Sequence, residues 1–197
     1  MCNENLCSVA FVLDRSGSMQ SMRDQAIAGY NEFLQKQMHY PGETRFSFTL
    51  FNDQIVQVAH WVPVQEMVCL SPETYMPAGN TALDDAVGFT IDSLGQELAS
   101  MPEQERPGKV IVAILTDGEE NSSIHYTTNK VASMIRNQRK KYQWEFLYLG
   151  AGPNVQLESS KRGIASHDTL CFEATPEGVS DVMDKLNACV NEKKRKG

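Results

Sequence analysis

Short, almost wholly apolar runs alternate along this chain with longer stretches in which apolar residues recur every three or four positions. The run from Cys7 to Asp14, CSVAFVLD, is short and rich in branched side chains, and it ends in Arg15-Ser16-Gly17-Ser18. Such a run reads as a buried strand followed by a sharp turn into a helix. From Met19 to Met38, Met22, Ala26, Ile27, Tyr30, Phe33 and Leu34 keep a helical period, Arg23, Asp24 and Glu32 belong outside, and Tyr40-Pro41-Gly42 ends the element. Arg45 to Phe51 and Gln54 to Trp61 are strand-like and are joined at Asn52-Asp53, a pair suited to a tight hairpin. The second run alternates more than the first, which predicts an inner strand and then an antiparallel edge strand. Between Val62 and Gly79, Pro63, Pro72 and Pro77 break any long element and leave a connection over the sheet.

Thr81 precedes a helical pattern of Leu83, Val87, Ile91, Leu94 and Leu98, and Asp84 three residues later makes the pair resemble a capping box. The run VIVAIL, Val110 to Leu115, reads as a central parallel strand buried on both faces. Thr127 to Lys140 then reads as a helix, Trp144 to Leu149 as a strand, Asn154 to Ser160 as a short helix and Thr169 to Phe172 as a last strand. Pro176 opens a final helix buried through Val179, Val182, Met183, Leu186 and Val190. This order predicts an α/β fold: a doubly wound, mostly parallel six-stranded sheet with one antiparallel edge strand and helices on both faces, a Rossmann-like three-layer arrangement. Neither glycine-rich nucleotide fingerprint is present.

With 197 residues, 41% of them hydrophobic, the chain has material for one core, so a single domain over 1–197 is expected, with 191–197 as a frayed basic tail. A formal net charge of -7 argues against a general attraction to nucleic acid or anionic membrane. No secretory leader or membrane-length apolar run is visible, and the five cysteines form no close pair; Cys7, Cys171 and Cys189 read as small buried hydrophobes. Together these features predict a cytoplasmic protein. They leave the oligomeric state open.

Candidate chemistry begins at the first turn. Asp14, Ser16 and Ser18 offer a carboxylate and two hydroxyls on alternating positions, so all can face one point while Arg15 and Gly17 face away. Hard oxygen donors suit Mg²⁺, which takes few protein ligands. The same residues also suit side-chain-to-backbone turns and a helix cap, and the loop alone does not decide between the readings. Asp117 follows the central strand, and Thr81 begins the helix leading into it. If the two strands are neighbours at the reversal in strand order, Asp14 and Asp117 share one crevice with Thr81 above them. Such a set fits Mg²⁺ or Mn²⁺, and its few anionic ligands would leave the ion seeking a carboxylate from outside. Thr81 equally suits an N-cap.

DRSGS at Asp14 to Ser18, GNTALDDAV at Gly79 to Val87 and LTDGEEN at Leu115 to Asn121 together resemble the von Willebrand factor type A (vWA) domain family, including the inserted domains of integrins. In that family Asp-x-Ser-x-Ser, a distant Thr and a distant Asp form the metal-ion-dependent adhesion site, and Asp14, Ser16, Ser18, Thr81 and Asp117 match them by position. The resemblance implies a binding module rather than an enzyme. Its cofactor would be Mg²⁺, with Mn²⁺ or Ca²⁺ as alternatives, and its partner a protein offering an Asp or Glu to the metal. Integrin-like relatives also shift their last helix, which would be the one opened by Pro176. Asn80 stands where family members often have a second Gly. The rival reading is a Mg²⁺-dependent phosphohydrolase or phosphotransferase using Asp14 and Asp117, but Ser16 and Ser18 occupy the positions where such chemistry needs a second acid or base; His39 and His60 are expected far from the crevice, and His125, which follows the Asp117 loop, is expected as a surface residue near a helix start. Glu119 and Glu120 are expected as solvated loop residues, and Arg15, Met19, Tyr75 and Met76 as candidates for a binding rim.

Overall fold

Nine consecutive buried residues, Leu6 to Asp14, give β1 (Asn3–Asp14) no solvent face, as its branched and aromatic sequence demands. In the computed structural model, which describes residues 2–195, the remaining strands are β2 (Glu43–Phe51), β3 (Ile55–Pro63), β4 (Pro107–Thr116), β5 (Glu145–Ala151) and β6 (Thr169–Phe172). They form one six-stranded sheet in the order β3-β2-β1-β4-β5-β6. All neighbours are parallel except β2 and β3, the expected hairpin and edge. The chain thus winds outward from β1 in one direction and returns to lay β4 on its other side.

The alternation of side chains along β1 divides the core in two. Val9, Phe11 and Leu13 face α1 (Arg23–Met38) and α5 (Pro176–Arg195), while Ala10 and Val12 face α2 (Leu83–Ser100) and α3 (Thr128–Tyr142). Phe11 meets Tyr30 edge-on at 5.8 Å, and Tyr30 stacks on Phe48 at 4.4 Å, so α1 is keyed to both inner strands. The short α4 (Val155–Lys161) follows β5. Among the described residues no helix is long and apolar enough to cross a membrane.

Several local expectations are corrected. The helix read from Met19 opens instead as a 3₁₀ segment, Gly17–Met22, in which Met19 N donates to Ser16 O at 3.1 Å, and becomes α-helical only at Arg23. Cys7 is buried, but Cys171 is exposed on the four-residue edge strand β6 and Cys189 is half-buried. The basic tail is helical through Arg195, with Lys193 bonded to Glu145 and Asp168 and Lys194 bonded to Gln37 and Thr44; residues 196 and 197 lie outside the described residues.

Candidate metal-binding site

Asp14 ends β1 opposite Phe51, and Leu13 lies opposite Leu115, so Asp14 and the Thr116-Asp117 pair leave the sheet side by side at the reversal in strand order. The Asp14 carboxylate is fully buried. Its Oδ1 accepts the Ser16 amide at 2.6 Å, the side-chain-to-backbone turn weighed from the sequence, and its Oδ2 accepts the Thr116 hydroxyl at 2.6 Å. Below it, the Tyr75 hydroxyl donates to Asp14 O at 2.5 Å. Ser16 caps no helix with its side chain; its Oγ lies 3.1 Å from Ser18 Oγ, which in turn donates to Asp117 Oδ1 at 2.7 Å.

The third contributor arrives on the loop before α2. Gly17 N donates to Gly79 O, Ala78 N to Arg15 O at 2.9 Å and Asn80 N to Asp53 Oδ1 at 2.8 Å, while Asn52 binds Ala78 O and Ala82 N. Gly79 is required here: its φ is +77°, and a Cβ would fall 1.9 Å from Asp53 Oδ1. The loop delivers Thr81, which is buried, beside Gly118, where an added Cβ would lie 3.0 Å from Thr81 Oγ1 and 3.8 Å from Ser18 Oγ. Both hydroxyls therefore stand over the same glycine. Buried Asp14, Ser16 and Thr81 form the floor, and exposed Ser18 and half-buried Asp117 form the mouth.

Thr81 does not cap α2. Both of its main-chain polar groups are held by Asn121, the amide by Oδ1 at 2.9 Å and the carbonyl by the Asn121 amide at 3.1 Å. The helix begins at Leu83, with Ala82 in the cap position and no cap bond from its own side chain. Glu120 and Ser123 replace it: Glu120 Oε2 accepts the Asp84 amide at 2.7 Å, and Ser123 Oγ accepts the Asp85 amide at 2.9 Å. Glu120 Oε1 also takes the amides of Ser122 and Ser123, so Glu120 is a clamp rather than a solvated loop residue. Asp84, no capping-box partner, is buried against Arg162.

Of the rim candidates, Met19 and Tyr75 lie in the core, Arg15 is half-buried and Met76 is 61% exposed. His60 bonds Glu97 on α2, His39 ends α1 and the His125 amide binds Asp85, and no His is among the groups that interact with the Asp14 carboxylate. Sequence reasoning missed Thr116, Asn52, Asp53, Glu120 and Asn121 as supports. Thr116 alone had a local signal, its place at the strand end directly before Asp117.

Burial pushes the Asp14 carboxyl up to about 6, against the hydrogen bonds from Thr116 and Ser16, and burial also raises Asp117 against the bond from Ser18. No Lys, Arg or His among the described residues pairs with either carboxylate. Two desolvated acids without a counter-charge, joined by three hydroxyls, form an oxygen-only donor set that fits a hard divalent cation. Among the described residues no three His, Cys, Asp or Glu side chains gather as a metal site, consistent with a set in which most donors are hydroxyls.

A family model of the von Willebrand factor type A domain matches residues 8–185. The chain belongs to this family. Among solved structures, this vWA chain is similar to the vWF domain of the type V pili tip protein Mfa5 from Porphyromonas gingivalis, at 10% identity and a TM-score of 0.67, over 94% of this chain and 95% of that one. It is also similar to proximal thread matrix protein 1 from the mussel byssus, at 16% identity and a TM-score of 0.65, over 94% of this chain and 46% of that one. A further structure of the byssus protein has a zinc-occupied MIDAS motif; there the identity is 17%, the TM-score 0.60 and the coverage 94% and 46%. The vWA chain thus spans under half the length of the byssus protein, and at these identities the likeness is one of fold. No curated protein matches the sequence.

Proposed function

We propose that this chain, acting as a single vWA domain, is a divalent-metal-dependent protein-binding module in which Asp14, Ser16, Ser18, Thr81 and Asp117 hold Mg²⁺, with Mn²⁺ or Ca²⁺ as alternatives. A cation held there supplies a Lewis-acidic centre with an open position for an Asp or Glu of a partner protein. The observation that carries this reading is the meeting of three chain-distant loops around two carboxylates without a counter-charge, Asp14 buried and Asp117 half-buried. Three of the five donors are neutral, so much of the ion's charge is left for an incoming anion. Asp14 and Thr116 fix the first loop, and Asn121 orients Thr81. The net charge of -7 favours a protein partner over nucleic acid, and five free cysteines fit a cytoplasmic setting. Titration calorimetry with Mg²⁺ tests the first step. The wild-type chain gives a saturable isotherm and Asp14→Ala gives none; equal binding by both would refute the reading.

A further inference from the structure

Helix α3 opposes the charge of the molecule that carries it. Its sequence, TNKVASMIRNQRKKY, holds five basic residues and no acid, in a chain whose formal net charge is -7, so everything outside α3 is more acidic still. Val131, Ala132 and Ile135 turn inward. Lys130, Ser133, Arg136, Asn137, Lys140 and Lys141 recur at helical spacing and are all exposed, so the outward face presents four cations among neutral polar residues. With a rise of about 1.5 Å per residue, that face is roughly 16 Å long.

Helix stability does not account for the pattern. Arg139, Lys140 and Lys141 in the last turn complement the helix dipole, but Lys130 sits in the first turn, where a cation is disfavoured and where no acid offsets it. Arg136 and Lys140 are like charges four residues apart, which also opposes the helix. Nor are the charges consumed internally. Among the described residues only Arg139 of the five forms an ion pair, with Asp168, and it also donates to Gly163 O at 3.2 Å. Arg136 is positioned but not used up: its stem lies against Gly163, where an added Cβ would fall 3.7 Å from Arg136 Cγ, and one Nη2 bond goes to Ser133 Oγ at 3.0 Å. Lys141 stands over the Tyr142 ring at 5.0 Å, on the lip of a groove that also carries Asp92 and Glu103. The acids of the flanking helices are engaged: on α2, Asp92 accepts from the Tyr126 hydroxyl and Glu97 bonds His60, and on α4, Glu158 is held by Lys161 and Arg162.

We propose that the outward face of α3 docks an acidic segment of a partner protein, with carboxylates set against Lys130, Arg136 and Lys140. The inference goes beyond the metal reading and does not depend on it. Charge sign selects an acidic occupant, and the surroundings select its kind. A long polyanion or an anionic membrane would extend past this one helix onto a surface of like charge, whereas a short acidic segment fits on the face alone. Arg136 is the anchor, because its guanidinium is already positioned and can take a carboxylate in a two-pronged contact.

The test is an NMR titration of the chain in EDTA, so that no metal engages the probe, with a capped sixteen-residue Glu/Ala peptide carrying Glu at every fourth position and with its Gln counterpart. The Glu peptide is expected to shift the amide signals of α3, and the Gln peptide to leave them in place. Arg136→Glu weakens the Glu peptide about tenfold. Lys185→Glu, the same change in net charge on the exposed side of α5, weakens it less than about twofold. Equal weakening by the two variants, shifts centred outside α3, or equal binding of the Gln peptide would overturn the proposal. Tighter binding of a sixteen-nucleotide oligo-dT or of phosphatidylserine vesicles than of the Glu peptide would overturn it in favour of those partners, and a dimer in sedimentation that is lost in Arg136→Glu would give the face to a second copy of this chain. Each of these failures leaves the metal reading standing, since no metal is present in the titration.

Discussion

Ser18 and Asp117 are 99 residues apart in the chain, and the Ser18 hydroxyl donates to Asp117 Oδ1 at 2.7 Å. With its proton committed to the carboxylate, the Ser18 oxygen directs its lone pairs elsewhere, toward Ser16 Oγ and the space over Gly118. One bond therefore joins two loops and orients a donor.

Because Ser18 is exposed, Ser18→Ala removes a donor without opening a hole in the core. Its stability is expected within about 0.5 kcal/mol of wild type by urea unfolding in EDTA. Mg²⁺ affinity by calorimetry falls at least about tenfold, or 1.4 kcal/mol.

Asp14 is held by two hydrogen bonds but has no counter-charge, so its ionised form is costly in the metal-free chain. Asn at this position keeps both bonds, accepting from Ser16 and donating to Thr116. Asp14→Asn is expected to be more stable than wild type in EDTA at pH 7, by on the order of 1–2 kcal/mol. It also loses the stabilisation that excess Mg²⁺ gives the wild-type chain. Thermal unfolding with EDTA and with Mg²⁺ reads both effects.

Glu120 caps α2 from 36 residues away while ordering the loop after Asp117. Truncation to Ala frees the Asp84 amide and unties the two loops that bring Thr81 and Asp117 together. We expect a loss of about 1–3 kcal/mol in stability and a several-fold weaker Mg²⁺ isotherm, with Glu120→Gln recovering part of both.

Arg162 has no exposed surface, and its Nε meets Asp84 Oδ1 at 2.7 Å while Nη1 holds Glu158. Arg162→Met strands the Asp84 carboxylate in the interior, which costs about 3–5 kcal/mol. The double variant Arg162→Met, Asp84→Asn regains a large part of that loss in chemical denaturation, because the uncompensated charge is gone.

The arrangement of the sheet was readable because the short, branched, largely apolar runs at Cys7 to Leu13 and Val110 to Leu115 suit central strands, and the Asn52-Asp53 pair suits a hairpin turn. The nearness of the five proposed donors was readable because each lies in a loop or turn that leaves a strand or leads into a helix. Their supports were not. A Thr before a helix ordinarily caps it, but here Ala82 holds the cap position and the Thr81 main chain pairs with Asn121, forty residues on. Glu120 resembles any loop acid until the α2 amides are brought to it, and Tyr75 resembles an exposed loop aromatic until its hydroxyl is seen under Asp14. Long-range contacts of this kind leave no mark on local periodicity.

The most direct measurement is anomalous diffraction from a crystal of the wild-type chain grown with MnCl₂. We expect one strong peak about 2 Å from Ser16 Oγ and Ser18 Oγ, the distance at which small hard cations meet oxygen, on the side facing Thr81 and Asp117. A well-ordered molecule at saturating Mn²⁺ with no peak among these five residues, or with its peaks elsewhere, would contradict the account.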